Sequence, residues 1–178
     1  MQGIPTELFD ARWLPGEFFG PFEFESIFQP DKFNEPFINL TEEFHKDLEE
    51  FYRNQGKVYD RGNEYSKAIS FQNEKFGWGL VVENEIIESV SSDKFCFYKG
   101  KNLINMSIEE CIQHLDVKVT KKEVFSEEER ECYTGDTCYY FDTLGAMIWV
   151  MDGFVESIDN TVIYAEDDNT VIHPFRHV

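Results

Sequence analysis

Short motifs that carry cofactor or catalytic chemistry are missing from this 178-residue sequence. It has no P-loop, no GxGxxG, no GxSxG, no HExxH and no EF-hand pattern. The nearest approach to a glycine loop, Gly77-Trp78-Gly79, leads into strand-like sequence, whereas a phosphate cradle needs a helix N-terminus. Histidine is scarce. His173 and His177 could pair on a metal only in a helix, and Pro174 between them argues against one. The cysteines Cys96, Cys111, Cys132 and Cys138 lack the close C-x-x-C type of pairing, which excludes a zinc knuckle or a thioredoxin-type site. They read as small buried hydrophobes. No apolar run approaches the ~20 residues needed to span a bilayer. The opening MQGIPTELFDARWLPG has neither the basic nor the apolar region of a secretory signal, so the expectation is a cytoplasmic protein without membrane contact, cofactor or metal.

Basic side chains are also few: 16 Lys and Arg stand against 35 Asp and Glu, a formal net charge of -19. A body with this charge repels polyanions, which excludes direct binding to nucleic acid or an anionic membrane. It attracts basic partners, mainly by raising the rate of encounter.

Proline is rare except in the first 40 residues, where Pro5, Pro15, Pro21, Pro30 and Pro36 interleave with Trp13 and Phe9, Phe18, Phe19, Phe22, Phe24, Phe28, Phe33 and Phe37. Proline at this density prevents long helices and central strands. The rings nevertheless need burial. An irregular arm wrapping the rest of the domain satisfies both demands; the alternative is an exposed aromatic patch that binds a partner.

Beyond the arm, Thr41 predicts a helix N-cap, with Phe44, Leu48, Phe51 and Tyr52 on one stripe and Gly56 as its stop. His45 lies beside that stripe. Residues 57–75 are polar and give no clear element. FGWGLVV and EIIESV around Glu83-Asn84 predict a hairpin, and KFCFY another short strand before Gly100-Lys101-Asn102. Ser107 and Glu110 form a capping box ahead of Ile108, Cys111, Ile112 and Leu115, predicting a helix over 107–115 that leaves His114 off the stripe. DVKVTKKEVF, CYYFD and AMIWVMDGFVESI follow as strands, the last bent at the Asp152-Gly153 hairpin dipeptide; TVIYAEDDNTVIHPF adds edge strands. The expectation is one α+β domain over 1–178: a mostly antiparallel sheet of six to eight strands, two or three helices, and an irregular Phe/Pro-rich N-terminal arm. The arm takes 1–40, the first helix 41–56, and the β-rich core 76–178.

Five acids crowd into ten residues of a predicted loop: Glu127, Glu128, Glu129, Glu131 and Asp136. With Tyr133 as an aromatic anchor, they are the candidate surface for a basic partner, because anchors supply affinity and rim charges supply rate and specificity. Cys138 with His114, or a pair of carboxylates, would instead suit a small hydrolase. Glu166-Asp167-Asp168 reads as a polar turn before it reads as a metal site.

Asn102-Leu103-Ile104, Met106-Ser107-Ile108-Glu109-Glu110, Phe141-Asp142-Thr143-Leu144-Gly145 and the stretch from Trp149 to Gly153 resemble the layout of small bacterial immunity proteins, those of contact-dependent growth inhibition and related polymorphic-toxin systems. Asn105 stands where that pattern commonly has glycine. The resemblance covers about residues 76–158 and leaves out the arm. It implies a cytoplasmic, non-enzymatic inhibitor of a cognate basic toxin domain of the nuclease type, whose cleft it occupies. An adaptor domain for another basic partner has the same surface chemistry.

Overall fold

The computed structural model describes residues 12–33, 36–54, 56–58, 68–127, 130, 135–161, 163–164 and 171–172. The arm forms a small meander, β1 (Trp13–Leu14), β2 (Phe18–Phe19) and β3 (Phe22–Glu23), followed by a 3-10 turn at Pro30–Lys32. Then come β4 (Ile38–Asn39), α1 (Thr41–Asn54), β5 (Ala68–Asn73), β6 (Trp78–Glu83) and β7 (Ile86–Ser92). A short ribbon, β8 (Phe97–Tyr98) and β9 (Lys101–Asn102), leads into α2 (Ile108–Leu115). The chain continues through β10 (Lys121–Val124), β11 (Thr137–Phe141), β12 (Ala146–Met151) and β13 (Phe154–Thr161), and a terminal ribbon, β14 (Ile163–Tyr164) with β15 (Val171–Ile172).

The principal sheet has eight strands in the order β10-β11-β12-β13-β7-β6-β5-β4, with antiparallel pairing throughout. The α+β expectation therefore holds, including an antiparallel sheet at the upper end of the predicted strand number. Its inner face carries Trp78, Leu80, Val82, Val90, Ile148, Val150, Val155 and Ile158, all buried. Against them lie Ile108, Cys111 and Leu115 of α2 and the rings of the arm, in one continuous cluster. Trp13, Phe19, Phe22, Phe24 and Phe28 are buried and Phe33 and Phe37 pack beside them, so these rings of the arm are core; Phe18 is half-buried, and Phe9 lies outside the described residues. The arm also takes backbone groups that the sheet leaves over. β13 pairs only with Ser89–Ser92 of β7. Next to that pairing, Ile87 N–H donates to the Ser26 carbonyl at 3.0 Å, and Phe28 N–H donates to the Glu85 carbonyl at 2.8 Å.

Several local expectations shift. The first hairpin turns at Asn84-Glu85, one residue later than predicted; both have positive φ, which is the I′ geometry that matches strand twist. The β-core starts before residue 76, since β4 and β5 extend the sheet. Asn39 Oδ1 accepts the Thr41 N–H at 2.9 Å, while the Thr41 hydroxyl accepts from the Ser70 N–H at 3.1 Å and so ties α1 to β5. In the capping box Ser107 Oγ accepts from Glu110 N–H at 3.3 Å, and the Glu110 carboxylate bridges to Lys101 Nζ at 3.1 Å. His45 is buried, deeper than its place beside the stripe suggested.

Candidate functional site

Strand alternation places small and polar side chains on the outer face of the sheet, away from the arm and α2. Read across seven strands, one row runs Gln72, Gly79, Ser91, Asp159, Met147, Tyr140, Lys121. Its neighbour toward the β10–β11 loop runs Ser157, Trp149, Cys138, Glu123. The glycine and serines of the central strands stand between the bulkier Trp149 and Met147 on one side and Leu40 on the other. This leaves a trough of about 570 Å³. Gly79 keeps the floor low: a Cβ there would lie 2.4 Å from Ser91 Oγ.

One ionisable group dominates the floor. Asp159 Oδ2 accepts the Trp149 indole N–H at 2.6 Å. Burial pushes the Asp159 carboxyl above the usual carboxylate range, and the indole bond opposes that shift only in part. No lysine, arginine or histidine among the described residues pairs with it.

The raised carboxyl has a consequence for stability. Below the unfolded pKa the group is neutral in both states and costs nothing. As pH rises from there through the folded pKa, the unfolded chain ionises first and the native state loses ground. Asp159→Asn, which keeps an acceptor for the indole, is therefore expected to raise the melting temperature at pH 7 and leave it unchanged at pH 3, as thermal unfolding at the two pH values would read.

The trough adjoins the described ends of the predicted acidic loop, at Phe125 and Asp136. Phe125 N–H donates to the Asp136 carbonyl at 2.9 Å, closing the base of the β10–β11 loop. The Phe125 ring stacks on Trp149 with centroids 5.7 Å apart and planes 24° from parallel. The indole that holds Asp159 thus also supports the loop. Glu127 is exposed on it. Glu128, Glu129, Glu131 and Tyr133 lie outside the described residues, as do Cys132, Glu166-Asp167-Asp168, His173 and His177. Asp136 is half-buried and has a structural use: its carboxylate accepts the Asp152 N–H at 3.1 Å, tying the loop to the Asp152-Gly153 turn. Gly135 passes so close to β12 that a Cβ would meet the Val150 carbonyl oxygen at 2.6 Å.

Thiol chemistry finds little support. Burial raises the Cys138 thiol to about 11 and the Cys111 thiol to about 12, and pushes Cys96 well up, whereas a nucleophilic cysteine needs a lowered pKa. Cys138 lies on the outer face and His114 on α2 beneath the inner face, where its Nε2 meets the Tyr98 carbonyl at 2.8 Å. The sheet stands between them. Among the described residues no three His, Cys, Asp or Glu side chains group as a metal site. Nor is any described helix long and apolar enough to cross a membrane.

The acidic loop stands out in the sequence, whereas Asp159, Trp149 and the serines of the trough do not stand out there as a site. Their signal was a shared parity, Ser89 and Ser91 on β7 with Ser157 and Asp159 on β13, visible only once the strand register is known. No family model, curated protein or solved structure matches this chain.

Proposed function

We propose that this protein is an acidic immunity protein that binds a cognate basic toxin domain, of the nuclease class, and blocks its active-site cleft. The observation that carries this reading is the charge. With 35 acids and 16 lysines and arginines, a net charge of -19 cannot be neutralised within the chain. Surplus carboxylates of this number complement the lysines and arginines with which a nuclease holds phosphates. The outer face adds what charge alone lacks, an aromatic and apolar centre at Trp149 and Met147 beside Phe125, from which the acidic loop departs.

The test is to identify a toxin gene adjacent to this one and to co-express its basic toxin domain with this protein. The expected results are a complex that survives purification and restored growth of cells expressing the toxin. Failure to form a complex removes the reading. Within the complex, reversing Glu128, Glu129 and Glu131 to lysine is expected to slow association about tenfold or more at low salt, with the difference shrinking as ionic strength rises. An unchanged association rate removes the loop from the interface.

One observation favours a second reading, a small carboxylate hydrolase: Asp93 and Asp159 border the same trough, and an acid–base carboxylate pair is what glycoside hydrolysis uses. Turnover of a glycoside that is lost in Asp159→Asn would decide for it.

A further inference from the structure

We propose that the trough at Asp159 is a receptor for an arginine side chain of the basic partner, with the guanidinium on the free oxygen of Asp159 and the aliphatic stem along Met147. This deepens the proposed function and rests on it for the identity of the partner.

Three features of the site point to this occupant. The Asp159 carboxylate is anchored through Oδ2 alone; Trp149 fixes its direction, and Oδ1 has no protein partner among the described residues. The group lies on the floor of a cavity of about 570 Å³, large enough for a long side chain. Its cross-strand neighbours are Ser91, whose hydroxyl can accept a further N–H, and Met147, an apolar wall.

A half-buried carboxylate without a cation is costly to the free protein, and an incoming cation removes that cost at the moment of binding. Guanidinium suits the place better than ammonium because it is more weakly hydrated and its N–H groups fan out in one plane, toward both the carboxylate and the serine. Among the described residues the charged groups near the trough include Asp93 on its rim, Glu123 and Lys121 further along the face, and Glu127 at the start of the loop; Lys121 is already paired with Glu123 at 2.5 Å, and Lys94, next to Asp93, donates to the Glu74 carbonyl. The local balance is negative.

The test needs no toxin, so its failure is separate from failure of the immunity reading. The 15N-labelled full chain is titrated with N-acetyl-argininamide while the indole N–H resonance of Trp149, assigned by its loss in Trp149→Phe, is followed. The expected result is a saturable shift, absent with the uncharged isostere N-acetyl-citrullinamide. Asp159→Asn is expected to weaken binding about tenfold or more. Should that variant fail to fold, Ser91→Leu, which fills the floor and leaves the carboxylate in place, gives the same loss. No shift with the arginine probe, an equal shift with citrulline, or a variant that titrates like the wild type overturns the proposal. An equal response to N-acetyl-lysinamide overturns the choice of guanidinium.

Discussion

Replacing Asn160 with alanine is expected to destabilise the protein by about 3–5 kcal/mol, lowering the melting temperature by roughly 10 °C. The side chain is fully buried and uses both ends of its amide. Oδ1 accepts the Trp13 indole N–H at 3.0 Å, and Nδ2 donates to the carbonyls of Leu144 and Gly145, each at 2.8 Å. It therefore joins three separate stretches of chain: the arm, β13 and the turn that carries β11 into β12. Truncation strands the indole donor and the Leu144 carbonyl in the core. The Gly145 carbonyl keeps the Thr161 N–H at 2.9 Å and loses less. The orphaned donor gives the prediction its signature. In Trp13→Phe that donor is absent, so Asn160→Ala costs less there, and urea unfolding of the double-mutant cycle should return a coupling of about 1–2 kcal/mol. Additive losses would mean that volume alone, and not the buried amide, sets the cost.

Such a residue shows where sequence reading stops. FVESIDN offers Asn160 as a polar residue at a strand end, and only the register against Val90 and Ala146 places it in the core. Elements whose cause is local were legible. The Ser107 and Glu110 spacing marked α2 to within a residue, and Asp152-Gly153 marked the β12–β13 turn, because a cap and an I′ turn are properties of adjacent residues. β5 was not legible. Exposed Ile69 and half-buried Phe71 share one face and alternate with Ser70 and Gln72, too few for a periodic signal amid polar neighbours, and pairing with β6 decides its state. The two-residue strands of the arm have no period at all.

The candidate site divides in the same way. The acidic loop was readable as composition. The trough was not, since each of Ser70, Gly79, Ser89, Ser91 and Ser157 by itself reads as an ordinary solvent-facing strand position. Their concavity exists only when five strands bring them side by side next to Trp149. Bulges at Val81/Val82 and Trp149/Val150 also break the simple alternation by which an outer face would be traced from sequence. Asp136 shows the converse: as one acid among five it read as part of a binding surface, and its carboxylate holds a neighbouring turn.

The arm decides how much of this chain behaves as one body, and Phe22→Ala tests it. Phe22 is 1% exposed. Its ring meets Trp78 edge-on at 5.1 Å and lies 5.5 and 5.9 Å from Phe33 and Phe37, so it touches the sheet and the rest of the arm together. Loss of a fully buried phenyl costs about 3–5 kcal/mol through transfer and cavity terms, with the aromatic pairs adding to the upper end. Two outcomes differ in kind. If the arm were a strap laid over an independently stable sheet, the variant would release the strap in an early transition seen in the near-ultraviolet aromatic signal, while the far-ultraviolet signal of the sheet unfolded where the wild type does. The backbone bonds from residues 26 and 28 to the 85–87 segment, and the Trp13 bond to Asn160, argue for the opposite. The arm completes β7 and closes the inner face. Both signals are therefore expected to move together to lower temperature in one cooperative transition. The outer face, whose Trp149 and Asp159 stand on β12 and β13, would be lost in that same step.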